Sequence, residues 1–117
     1  MFAMIQIKRI YEPAGKKGGT RILVDRLWPR GITLKKAKMD LWLKDATPSV
    51  ALCKWFSHDP KTFAEFKKRY KKELWKNGGV ECLVKLAKNG SVMLLFAARD
   101  EAHNRTLVLK EFVESKV

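Results

Sequence analysis

Two short polar clusters contain most of the residues in this chain suited to chemistry. The first is Asp25-Arg26-Leu27-Trp28-Pro29-Arg30-Gly31 and the second is Arg99-Asp100-Glu101-Ala102-His103-Asn104. Asp25, Asp100 and His103 are the candidates for moving protons, since a carboxylate or a neutral imidazole accepts one near neutral pH. Arg26, Arg30 and Arg99 offer planar guanidinium forks that match phosphate or carboxylate, Trp28 offers a flat face for stacking, and Asn104 offers an amide. Each has a plainer use. Asp25 pairs with a neighbouring arginine and anchors its loop, Trp28 packs into the fold, and His103 caps or hydrogen-bonds near a helix start. His58 beside Asp59-Pro60 reads as part of a helix entry, and Tyr70 as a core ring with a bonded hydroxyl.

Both clusters follow apolar runs. Ile22-Leu23-Val24 precedes the first and Val92-Met93-Leu94-Leu95-Phe96 the second, and runs of that kind are typical of strands covered on both faces. In open α/β sheets ligands bind beyond the carboxyl ends of the strands, the position both clusters would occupy. Shared use of one site requires the two strands to be neighbours or to have one strand between them, because strands lie about 4.8 Å apart.

Around these runs the chain alternates. Ile5 to Ile10 has strand period, and Gly18-Gly19 marks a turn. Thr33 opens a short helix to Lys38, and Leu41-Trp42-Leu43 is a third strand. Thr47-Pro48-Ser49 starts a helix to Phe56, and Asp59-Pro60 starts the next, with Phe63, Phe66, Tyr70 and Leu74 on one face. Asn77-Gly78-Gly79 stops it, Val80, Leu83, Val84 and Ala87 stripe another helix, and Asn89-Gly90 caps that one. A last helix begins at Asp100 or Glu101 and buries Val108, Leu109, Phe112 and Val113. The pattern predicts one domain over residues 1–117: a small three-layer α/β/α, Rossmann-like fold with a mostly parallel sheet and helices on both faces.

The segments Lys8-Arg9-Ile10-Tyr11-Glu12-Pro13, Asp25 to Gly31, and Leu94-Leu95-Phe96-Ala97-Ala98-Arg99-Asp100 with His103-Asn104 resemble the YeaO-like family, catalogued as domain of unknown function 488. The likeness runs from about Ile5 to Val113. It implies a small α/β protein and brings no substrate or mechanism with it. Ala97-Ala98-Arg99 supplies no hydroxyl nucleophile before the acidic position.

With 25 Lys and Arg against 12 Asp and Glu, the formal net charge is +13. That excess attracts anions such as nucleotides, nucleic acid or acidic proteins. Cys53 and Cys82 have no metal-ligand spacing and read as buried thiols, and no metal or cofactor motif is present. No stretch reaches the length of a membrane span or signal peptide, so the expected location is the cytoplasm. The leading expectation is a small enzyme or ligand-binding domain acting on an anionic, nucleotide- or nucleic-acid-derived ligand at the strand ends. The alternative is a non-catalytic, non-specific nucleic-acid-binding module, using the basic helix with Lys67, Lys68, Lys71 and Lys72. Substrate, reaction and oligomeric state stay open at this level.

Overall fold

The computed structural model describes residues 5–12, 19–56, 59–97 and 104–116. Four strands, β1 (Ile5–Arg9), β2 (Thr20–Leu23), β3 (Leu41–Trp42) and β4 (Val92–Phe96), form one sheet in the order β1-β4-β2-β3. Every pairing is parallel, and Ile22 lies opposite both Leu94 and Leu41. All five residues of β4 are buried, as expected for the run that occupies the sheet's interior. The β2 and β4 strands are neighbours, so the two chain segments beyond them emerge side by side.

Alternation along the strands divides the core. Ile5, Ile22, Val24, Val92 and Leu94 face a large cluster with α2 (Val50–Phe56), α3 (Phe63–Leu74), α4 (Gly78–Asn89) and α5 (Arg105–Lys116). Leu23, Met93 and Leu95 face a smaller cluster closed by the one-turn helix α1 (Leu34–Ala37) with Trp28, Ile32, Met39 and Trp42. Helices therefore cover both faces, but unequally. On the thin side Arg21, only 9% exposed, donates from Nε to Lys38 O and from Nη2 to Ala37 O, both at 2.9 Å. A cation at the C-terminal carbonyls of α1 satisfies acceptors the helix leaves open and suits its dipole.

Local starts follow side-chain capping. Thr33 Oγ1 accepts from Lys36 N, Ser49 Oγ from Leu52 N, and Asp59 Oδ1 from Lys61 N. Glu73 on α3 holds Ser49 in place, accepting from both its backbone N (2.8 Å) and its hydroxyl (2.7 Å). Two boundaries differ from expectation. α3 ends at Leu74, before Asn77, and Asn77 begins α4, its Oδ1 accepting from Gly79 N, so the glycine pair lies inside the first turn of α4. The last helix begins at Arg105, not at Asp100 or Glu101, because Asn104 Oδ1 takes the Thr106 and Leu107 amides at 2.9 and 3.1 Å.

The Phe66 ring stacks on Phe56 at 4.2 Å, and the buried Tyr70 hydroxyl donates to Ala46 O. Burial pushes the Tyr70 phenol far above its ordinary pKa, outweighing the nearby Arg105 charge, so it remains neutral. Both cysteines are free, and neither is fully buried. Val80, Leu83 and Ala87 take the inward face of α4, which turns Cys82 outward. Among the described residues no helix is long and apolar enough to cross a membrane.

Across the surface, Glu111 of α5 meets Lys67 at 2.8 Å and Lys71 at 3.6 Å on α3. The hydrogen bond from Lys67 holds the Glu111 carboxyl below its usual range, against a smaller opposing effect of burial. A carboxylate whose pKa is depressed in the folded state adds stability above its unfolded pKa and loses it as pH falls through the folded value. The pair is half exposed, so Glu111→Gln should cost under about 1 kcal/mol at neutral pH. Urea titrations of both proteins should begin to converge as pH falls below about 4, the unfolded carboxyl value, and meet only once the folded-state carboxyl is protonated as well. Persistence of the difference in acid would show that Glu111 acts by packing.

Candidate functional site

Pairing between β2 and β4 continues one residue beyond β2, with Val24 N donating to Leu95 O, and this delivers Asp25 to the end of β4. The Asp25 side chain is 8% exposed. Its Oδ2 accepts from Ala97 N at 3.0 Å and its Oδ1 from Arg105 Nη2 at 2.8 Å. Its backbone O accepts from Trp42 Nε1 at 2.7 Å, so one residue joins β2, β3, β4 and α5. Burial would depress the Arg105 guanidinium, but the hydrogen bond and negative charge of Asp25 outweigh it and raise the pKa. The Arg105 guanidinium therefore stays charged at every working pH.

Arg105 keeps 30% of its side chain exposed, and its Nη1 lies 3.9 Å from Cys53 Sγ. Between them opens a cleft of about 300 Å³. Its polar side is Asp25, Asn104, Arg105 and Thr106, and its apolar side is Cys53, Phe56, Phe66 and Phe96. Thr106 is 1% exposed, and its Oγ1 is buried without a hydrogen-bond partner. A buried hydroxyl left unpaired costs roughly 1–3 kcal/mol, an uncommon expense in a native fold.

The residues singled out from sequence divide in three ways. Asp25 and Asn104 share the cleft. Arg26, Trp28 and Arg30 do not line it. Arg26 Nη2 donates to Pro48 O at 2.6 Å, Trp28 Nε1 donates to Ile32 O at 2.9 Å while its ring packs edge-on to Trp42, and Arg30 faces solvent. Arg99, Asp100 and His103, with His58, lie outside the described residues. Arg105 and Thr106 escaped the sequence reading. Arg105 directly follows the second cluster and was within its reach, whereas nothing in sequence marks a threonine that loses its partner on folding. Among the described residues no group of three or more His, Cys, Asp or Glu is placed to hold a metal ion.

On the basic helix, Lys67 and Lys71 are engaged with Glu111, and Arg69 pairs with Glu65 at 3.2 Å and lies over Trp55 at 4.1 Å. Part of the cationic face is thus already neutralised or occupied.

A family model described as "Inactive DUF488-N3 subclade" matches residues 4–117. The chain belongs to the YeaO-like DUF488 family. Within it, this DUF488 chain is 40% identical over 112 residues to the uncharacterized protein YeaO of Escherichia coli K12, covering 95% of this chain and 97% of YeaO. It is 34% identical to the uncharacterized protein Rv3073c of Mycobacterium tuberculosis H37Rv, covering 96% and 95%. No solved structure matches it. The DUF488 likeness spans both strand-end segments and all of α5.

Proposed function

We propose that this protein is a ligand-binding domain without turnover, taking a small anion with a flat apolar part, such as a mononucleotide, in the cleft at the ends of β2 and β4. The observation that carries this reading is the unpartnered Thr106 hydroxyl next to the partly exposed Arg105 cation in a cleft also lined by three phenylalanines. The guanidinium attracts the anion, the hydroxyl bonds it, and the aromatic side accepts the flat moiety. A cleft of about 300 Å³ is at the small end for ligand sites and suits one nucleotide unit over an oligomer.

Two observations weigh against catalysis by Asp25. Both carboxylate oxygens are already taken, one by Ala97 N and one by Arg105, so Asp25 orients the cation and has no lone role as a base. The matching family is described as inactive. The basic-surface reading is weakened by the Glu111 contacts to Lys67 and Lys71.

Thr106→Val tests the proposal. Without ligand the variant should be more stable by about 1 kcal/mol, since it removes an unpaired buried hydroxyl. Its melting temperature should rise by a few degrees. Nucleoside monophosphate binding, followed by calorimetry, should weaken by roughly tenfold, one hydrogen bond's worth. If no nucleoside monophosphate binds the wild type, or the variant binds as tightly, the proposal fails.

A further inference from the structure

A second concavity, of about 460 Å³, lies toward the C-terminal end of α5, away from the strand-end cleft at its N-terminus, between the end of α3, α4 and the last turns of α5. Leu74 and Val80 form its buried floor, and Val84 and Phe112 line it. Trp75 stands over it, 68% exposed. This indole is held in position despite its exposure. The Phe112 ring meets it edge-on at 5.5 Å, and Lys116 Nζ lies 3.2 Å from its centroid. An exposed large aromatic already fixed by its neighbours forfeits little side-chain entropy on binding, and tryptophans of this kind dominate interface energies.

The rim is cationic. Lys85 and Lys88 are three residues apart on α4, hence on one helix face, and Lys116 completes the edge. None of the three forms an ion pair among the described residues. Glu81 is the single acidic residue in the lining, so the groove is net positive within a chain of charge +13.

We propose that this groove docks an acidic amphipathic peptide segment of another protein, its apolar side chains seated against Trp75 and Val84 and its carboxylates on Lys85 and Lys88. Charge complementarity selects an acidic partner, and the aliphatic floor selects one with apolar anchors. A nucleic-acid base fits less well, because an ammonium already occupies a face of the indole and the floor offers no hydrogen-bonding edge.

Fluorescence anisotropy with three labelled 14-residue peptides tests the docking. One carries leucines at i, i+3, i+4 and i+7 spacing with glutamates elsewhere, one replaces its glutamates by lysine, and one replaces its leucines by serine. The Glu/Leu peptide should bind at least tenfold more tightly than either of the others. Trp75→Ala and the double variant Lys85→Glu/Lys88→Glu should each weaken it at least tenfold with far-UV circular dichroism unchanged. Changing the exposed lysine pair should leave melting unchanged too, whereas Trp75→Ala gives up its contacts with Phe112 and Lys116 and melts slightly lower. Equal binding of the serine peptide, or indifference to both variants, would overturn the proposal. So would a Trp75-dependent dimer in sedimentation, or a single-stranded 12-mer oligonucleotide that binds more tightly and through Trp75.

Discussion

Asp25→Ala should lower the unfolding free energy by about 3 kcal/mol, measured by urea denaturation at neutral pH. Removing one member of a buried pair typically costs about 3–5 kcal/mol, because the other charge stays behind without its partner. Here the abandoned group is Arg105, still 30% exposed and so partly solvated, which places the cost at the lower end. The Ala97 amide loses its acceptor as well. Arg105→Met should cost at least as much, since it strands a carboxylate only 8% exposed. The double variant should be milder than the sum of the singles by about 1–3 kcal/mol, the usual coupling between residues in direct contact. Additive behaviour would show that the two side chains act independently, and an Asp25→Ala protein as stable as the wild type would release Asp25 from its structural duty and return it to consideration as a base.

Gly19→Ala should be at least as damaging, and for a backbone reason. Gly19 has φ of +67°, where an L side chain is strained, and a Cβ there would lie 2.1 Å from Ser91 O and 2.5 Å from Ser91 C. The contact is with backbone at the start of β4, which cannot turn aside as a side chain would. Relief requires moving the entry of β2 away from β4, breaking the 3.0 Å bond from Thr20 N to Ser91 O. We expect a loss of roughly 3 kcal/mol or more, a large share of a small domain's 5–15. Gly31 provides the control. Its φ is +73°, yet nothing lies within 4 Å of an added Cβ, so Gly31→Ala should cost only the conformational strain of about 1–2 kcal/mol. Denaturant midpoints for the two variants should differ clearly, and equal midpoints would mean that the β2–β4 junction yields.

The order of elements was legible because it depends on local rules. Strict alternation from Ile5, the apolar run at Val92 and the helical spacing of Phe63, Phe66, Tyr70 and Leu74 each require a particular backbone period to bury one face. Capping residues supplied most boundaries, and the two that moved did so at asparagines, where a side-chain oxygen can take the amides of whichever turn follows it. The expectation of a buried thiol failed at Cys82 for a comparable reason: a thiol is apolar enough for the core, but the stripe of α4 already filled the inward face, while Cys53 on α2 is partly buried.

The candidate site was legible in part. Asp25 and Asn104 could be placed at strand ends from sequence, because chain order and the parallel α/β pattern bring such segments to one edge of a sheet. Sequence alone could not say that Arg26 would turn toward Pro48, that Trp28 would pack on Trp42, or that Glu111 would hold Lys67 and Lys71. Nor could it say that the cation answering Asp25 would be Arg105, eighty positions along the chain. Periodicity determines which face of an element is buried. The direction of a long polar side chain is decided only when a distant element presents the opposite charge or an open carbonyl, and in this fold α5 supplies both the cation of the cleft and the hydroxyl left without a partner.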